Sequence, residues 1–255
     1  MKRVLIAVAL GLACFGSALA ADLPAPPEAP AAVYAPPPPA VYNWGGLYFG
    51  VNGGWGFGNS SWSDADNVSG LGTTGNFNTN GYAAGGTIGV NWQSDAFVFG
   101  LEGDLDAMGL DGKSSSLYCG GPVAPGNLGL GANAKCETKQ TWLGTFRGRV
   151  GYAADRVLFY GTAGGAVGNI ETGVNNSFVS QTKAGWTVGA GVEAAFADNW
   201  TARVEYLFVD MQNASCNTAA ACGNDFVVGV GAIPANQTVR LNSNLIRLGL
   251  DYKFR

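Results

Sequence analysis

The chain has 255 residues, 47% of them hydrophobic and 13% charged, whereas a soluble domain carries about 25% charged residues. Beyond the N-terminal stretch there is no run of 18 apolar residues, so the apolar excess does not build a transmembrane helix. Histidine is absent and the net charge is −4 with no Lys/Arg cluster, which excludes His-based acid–base chemistry and His metal sites and argues against nucleic acid as a partner.

The first twenty residues read as an export leader. Lys2 and Arg3 precede a short apolar core, Val4 to Phe15, and Ala18-Leu19-Ala20 fits the small-x-small cleavage rule. Cleavage puts the mature N-terminus at Ala21 and, by removing two basic residues, lowers the net charge to −6. Gly11 stands where a lipoprotein signal before Cys14 wants an apolar residue, so lipidation is not expected. Residues 21–42 hold eight of the eleven prolines. They form no core and favour an extended polyproline chain, a periplasmic linker that spans on the order of 70 Å at about 3.1 Å per residue.

From residue 43 to 255 the pattern has period two, the mark of strands with two unlike faces. Leu47, Phe49, Val51, Trp55 and Phe57 alternate with Tyr48, Gly50, Asn52, Gly54 and Gly56. Gly81–Trp92 and Phe97–Asp106 follow around a short turn, the second with Phe97, Phe99, Leu101 and Leu105 on one face and Glu102, Asp104 and Asp106 on the other. Thr141–Tyr152 sets Phe146 and Val150 against Arg147 and Arg149. Val157–Ile170 is too glycine-rich to fix its parity, and Leu158 and Tyr160 are expected outward. Lys183–Phe196 carries Glu193 on its small face, Trp200–Asp210 carries Arg203 and Glu205, and Thr238–Phe254 carries Arg247, Asp251 and Lys253 opposite Ile246, Leu248, Leu250, Tyr252 and Phe254. Asp95 to Met108 and Asp198 to Met211 form a weak repeat: a turn Asp, a Glu seven residues later, a closing Met.

Eight segments joined alternately by long stretches (about 58–80, 107–138, 171–182 and 211–237) and short turns predict an all-β fold, an eight-stranded antiparallel up-and-down transmembrane β-barrel with short periplasmic turns. The charged faces also carry Gly50, Gly54, Gly85, Gly89, Gly189, Gly191 and Gly249. Small residues belong where space is tight, so that face points into a narrow lumen and the aromatic face toward outer-membrane lipid. Trp44, Tyr82, Trp92, Trp142, Tyr152, Trp186, Trp200 and Tyr252 read as interfacial girdles. About six acidic and five basic residues then point inward, and an unpaired buried charge is costly. A lumen network of Glu102, Asp104, Arg147, Arg149, Glu193, Arg203, Glu205, Arg247, Asp251 and Lys253 is expected, with Glu102 and Asp104 the partners of Arg147 and Arg149. Four cysteines remain after cleavage, and in an exported chain an even number reads as disulfides. Three pairings are open. Cys119–Cys136 with Cys216–Cys222 is favoured because each pair lies within one expected loop. Zinc is disfavoured for want of CxxC spacing and histidine.

Asn43-Trp44-Gly45-Gly46-Leu47-Tyr48-Phe49-Gly50-Val51-Asn52-Gly53-Gly54 resembles the first strand of the porin-like outer-membrane proteins of alphaproteobacteria, relatives of the OmpA transmembrane barrel. Phe99 to Asp104, Arg147 to Tyr152 and Leu248 to Phe254 resemble their third, fourth and last strands, and the resemblance covers nearly all of 43–254. It implies a surface-exposed structural protein of the Gram-negative outer membrane, folded by the barrel assembly machinery. That machinery reads a terminal aromatic, here Tyr252 and Phe254 with Arg255 as a departure. It also implies that Ala21, in Ala21-Asp22, is a site of covalent attachment to peptidoglycan. No cofactor or metal is expected, and the protein is expected as a monomer or weak oligomer. The alternatives are a narrow diffusion channel and a surface binding or adhesion module acting through loops 107–138 and 211–237. An enzyme is not expected: Glu102 and Asp104 are paired carboxylates, but they share a narrow lumen with arginines.

Overall fold

The computed structural model describes residues 42–64, 73–116, 119, 135–174, 177–217, 224–227, 231–234 and 236–254. The expected leader (1–20), Ala21, Cys222, Arg255 and all of the proline segment except Tyr42 lie outside them.

Eight strands close into one barrel: β1 (Gly46–Asp64), β2 (Phe77–Ser94), β3 (Phe97–Ser114), β4 (Cys136–Ala154), β5 (Val157–Val174), β6 (Ser177–Ala195), β7 (Trp200–Cys216) and β10 (Gln237–Lys253). Two short strands, β8 (Asn224–Val227) and β9 (Gly231–Pro234), pair with each other between β7 and β10. All barrel neighbours are antiparallel and follow chain order. The seam is β1 on β10, in register from Tyr48↔Lys253 to Asp64↔Gln237, so the sheet has no free edge across the membrane. This is the expected up-and-down barrel. At one end Asp95-Ala96 and Asp155-Arg156 make two-residue turns. Asp95 (φ 52°) and Asp155 (φ 53°) adopt the left-handed conformation such hairpin turns demand, and aspartate tolerates it better than most residues.

At the other end the strands run well past the expected boundaries. β1 reaches Asp64, β3 reaches Ser114, and β5 and β6 are separated by residues 175–176 alone, where a loop over 171–182 was expected. The reason is visible in the faces. Between Leu47 and Phe57 the outward side chains of β1 are apolar, with Phe49 half exposed and Asn52 buried. Ten residues at about 3.4 Å, tilted by about 45°, span roughly 24 Å, the height of an outer-membrane apolar band. Above that band the alternation inverts. Asn59, Asn78 and Asn80 face out, while Trp62, Phe77, Leu110, Ile170, Met211, Val239 and Leu241 face in. The extensions therefore bury an apolar core as a water-soluble barrel does.

Two expectations are corrected. Leu158 and Tyr160 point into the barrel, and Phe159 between them points out at 53% exposure. The register aligns Phe159 with Tyr152 and Val192 on the outer face, which the many glycines of β5 conceal. Trp44 is no girdle residue: it is 1% exposed, folded under the short-turn end. Tyr82, Trp92, Tyr152, Trp186 and Trp200 are exposed outward.

Candidate functional site

The lumen is filled in three stacked layers. At the short-turn end the chain preceding β1 crosses the mouth. Trp44 donates its indole N–H to the Asp155 carbonyl (2.9 Å) and its backbone N–H to Gln93 Oε1 (2.6 Å). Tyr42 donates its backbone N–H to Asp155 Oδ1 (3.2 Å) and its hydroxyl to the Asp198 carbonyl (3.2 Å). The two rings meet edge to face, 4.9 Å apart, over Val98, Ala153, Leu158, Tyr160 and Ala195. One tripeptide thus bonds to two of the short connections and to the periplasmic end of β2.

The middle layer is ionic. β3 contributes Glu102, Asp104 and Asp106; β4 Arg147 and Arg149; β6 Glu193; β7 Arg203 and Glu205; β10 Arg247, Asp251 and Lys253, all buried. Arg147 pairs with Glu102, with Asp104 (2.6 Å) and with Glu205 (3.1 Å). Arg203 meets Glu102 (2.5 Å) and Asp251 (3.4 Å). Arg247 bridges Asp106 (2.7 Å) and Glu205 (2.5 Å). Arg149 meets the expected Glu102 at 3.9 Å, but its tighter ion partner is Glu193, across β5, which was not expected. Its guanidinium lies 3.8 Å from the Tyr160 ring centroid. Lys253 turns toward the mouth, donating to the Asn43 carbonyl and lying 4.1 Å from the Tyr42 ring. Hydroxyls complete the layer, and these were not among the expected members. Tyr48 donates to Glu102 (2.7 Å), Tyr160 to Glu205 (3.0 Å), and Thr87 and Thr145 to Asp104 (2.7 and 2.8 Å). Tyr48 has the inward parity of Gly50 and Asn52, so alternation could have found it. Tyr160 was hidden by the wrong parity of β5.

Glycine makes the layer possible. A Cβ on Gly249 would lie 2.6 Å from Arg203 Nε, and one on Gly89 would enter the Tyr48 ring. Side chains crossing the lumen need a bare wall to lie against.

The outer layer is mainly apolar: Leu143, Leu207 and Leu245 lie above the arginines, followed by Met108, Leu110, Ile170, Met211 and Leu241, with Gln140, Gln237 and Ser243 buried in the same upper part of the strands. Trp62 donates its indole N–H to Thr138 Oγ1 (2.9 Å) near the rim. There Cys119 is bonded to Cys136, the first residue of β4. Cys216, the last residue of β7, is also disulfide-bonded; Cys222 lies outside the described residues. Beyond the membrane band Glu137 is bound by Lys113 (3.0 Å) and Lys139 (3.1 Å). Burial pushes its carboxyl up, but hydrogen bonds from Asp111 and both lysines outweigh that and hold it below the usual range. Among the described residues no group of three or more His, Cys, Asp or Glu is placed to hold a metal ion.

A closed antiparallel barrel, apolar around its waist and ionic within, is the architecture of an outer-membrane β-barrel protein. The sequence matches the family described as outer membrane protein beta-barrel domain over residues 28–254, and the chain belongs to that family. It is 33% identical to the 31 kDa outer-membrane immunogenic protein of Brucella melitensis over the whole of both chains. It is 31% identical to the 25 kDa outer-membrane immunogenic protein of Brucella canis, over 100% of this chain and 99% of that one. The 22 kDa outer membrane protein of Rhizobium leguminosarum is 34% identical over 68% of this chain and 67% of its own. Among solved structures, the outer membrane protein OprG from Pseudomonas aeruginosa aligns over 83% of this chain and 97% of that chain, with 16% identity and a TM-score of 0.46. The protein is thus an alphaproteobacterial-type outer-membrane barrel, located in the outer membrane, with its short turns on the periplasmic side.

Proposed function

We propose that this barrel is a structural, non-enzymatic component of the envelope that spans the outer membrane without opening a diffusion path. The observation that carries this is the filling of the lumen along its whole depth: Trp44 at the periplasmic mouth, Arg147 in the middle and Leu207 above it are each no more than 1% exposed. A narrow porin would need a continuous polar gap. The purified protein in planar bilayers is expected to show no stable conductance of general-porin size; reproducible open steps would defeat the reading.

The same proposal includes a periplasmic tether. Tyr42, where the described chain begins, lies at the periplasmic mouth, so a linkage of Ala21 to peptidoglycan starts on the correct side of the membrane. Muramidase digestion followed by mass spectrometry is expected to find Ala21 carrying a muropeptide. An unmodified Ala21 in every cell-wall preparation ends that part. The aromatic cluster of Phe49, Tyr252 and Phe254, with Phe254 5.3 Å from each of the other two rings, lies at the same end and suits recognition of the last strand by the assembly machinery.

A further inference from the structure

Above the membrane band the barrel wall is divided. β5 and β6 stay paired as far as Val174↔Ser177, and β7 and β10 as far as Cys216↔Gln237, but the pairing of β6 with β7 stops at Gly185↔Met211. At that last pair the two strands are in close contact: a Cβ on Gly185 would lie 2.2 Å from the Asp210 carbonyl oxygen. Just beyond it β7 sets Gln212 and Asn213 against Arg240 alone, a bulge on the β10 side. A bulge bends its strand and interrupts the ladder, and here it turns the top of β7 away from β6. Residues 177–184 of β6 and 212–215 of β7 face each other across the gap, and among the described residues no strand pairs with the facing side of either. A side chain takes the place of a backbone there. The Gln181 amide donates to the Ser215 carbonyl and accepts from the Ser215 N–H (3.3 Å), the two bonds that a residue of a neighbouring strand would make. At the foot of the split a cavity of about 480 Å³ lies between Ala184 to Trp186 and Asp210 to Asn213.

We propose that this split is a strand-addition site for an extended segment of another surface protein, which displaces Gln181 and pairs antiparallel with β6. Alternate residues of an eight-residue edge point about four N–H and C=O pairs across the gap, and an unpaired edge is a template for another chain. The edge is reachable from water, because Trp186 at its foot belongs to the outward aromatic girdle. A second copy of this barrel does not fit. Barrel strands tilt by about 40°, so two upright copies bring identical edges together crossed at about 80°. The walls set the side chains of the partner. Met211 and Ala214 are buried on the inner face. Lys183, on the same face as Gly168, is partly buried and has no ion pair with a described residue. Asp210, Gln212 and Thr182 lie on the outer face. The segment that fits therefore alternates apolar and polar residues, with a carboxylate within reach of Lys183.

The test is fluorescence anisotropy of the full-length protein in mild detergent with a labelled eight-residue peptide of alternating valine and threonine carrying one glutamate, followed by hydrogen exchange read by mass spectrometry. The peptide is expected to bind and to slow exchange in 177–184 while leaving β1 and β2 unchanged. Methylating the amide nitrogens of alternate peptide residues keeps every side chain and removes one hydrogen-bonding edge. At least one of the two phases is expected to bind about tenfold more weakly, about 1.4 kcal/mol. Gln181→Ala, which frees Ser215, is expected to tighten binding several-fold, and Lys183→Gln to erase the advantage of the glutamate peptide over its glutamine analogue. Folding of each variant is checked by heat-modifiable mobility. No binding, or equal binding by the parent and both methylated peptides, overturns strand addition. An affinity unmoved by Gln181→Ala overturns the placement at the split, and indifference to Lys183→Gln overturns the carboxylate preference. Protection of 177–184 in the protein alone, lost on deleting 224–234, would put this chain's own hairpin in the split and overturn a foreign partner.

Discussion

Glu102 is the carboxylate on which the ionic layer turns: Arg147, Arg203 and the Tyr48 hydroxyl all bind it, and Arg149 stands 3.9 Å away. Removing one partner from a buried charge cluster strands the others, at a cost of about 3–5 kcal/mol. Glu102→Ala is therefore expected to lower the temperature at which the folded gel band converts to the unfolded one. Glu102→Gln, which keeps hydrogen-bond acceptance, should cost less. Equal stability of Glu102→Ala and the native protein would show that the arginines find other partners. Gly249→Leu should behave like a charge mutation although no charge is touched, because its side chain would displace Arg203 from Glu102 and Asp251; a Gly249→Leu barrel as heat-resistant as the native one would refute that. At this scale the sequence was legible in part. Alternation told which residues point inward, because a charge on the membrane face is costly in lipid and the narrow lumen needs glycine beside its long side chains. Strand adjacency gave Arg147 its partners Glu102 and Asp104 on β3, but not the tightest partner of Arg149. Arg149 reaches over β5 to Glu193, since a long side chain in a narrow lumen selects by depth as much as by neighbouring strand.

At the level of elements, each long strand carries two opposite patterns in succession. In β7, Arg203 and Glu205 point in while Val204 and Tyr206 point out; four residues on, Val209 and Met211 point in while Asp210 points out. The reversal marks where lipid gives way to water. It also explains why the segments beyond it read as loops: a strand whose outer face is Asn, Ser and Gly has lost the bulky alternation that identified its lower half. The Asp–Glu–Met repeat has a physical meaning here. In β3 and β7 alike the Asp lies by the periplasmic turn, the Glu (102, 205) in the ionic layer and the Met (108, 211) in the apolar one. The upper barrel is closed at its rim by Cys119–Cys136, which spans 17 residues. Closing a loop of that size contributes about 3 kcal/mol. Cys119→Ser with Cys136→Ser is expected to lower the heat-modification midpoint while the circular-dichroism strand signal at room temperature is unchanged, and dithiothreitol, which also reduces the disulfide of Cys216, should lower it at least as far. A midpoint insensitive to reduction would mean that the rim is held by packing alone.

For the molecule as a whole, the three layers act in series, and each excludes water by a different means. The periplasmic strap does so by aromatic packing and hydrogen bonds to Gln93, Asp155 and Asp198, the middle by pairing charges that would otherwise recruit water, and the outer layer by close-packed leucine, isoleucine and methionine. If the lumen is closed as proposed, a path opens only when all three give way. Trp44→Ala separates this from a simple gate. It removes the indole that donates to the Asp155 carbonyl and packs against Tyr42 and should let a small thiol reagent reach a cysteine placed at Ala153, just inside the mouth. Arg147 and Leu207 still stand above it, so conductance in planar bilayers is expected to stay at baseline. The two readouts together decide the point. Labelling without conductance supports layers in series. If Trp44→Ala conducts in discrete steps, the strap alone seals the barrel, and the ionic layer above it is permeable to ions after all.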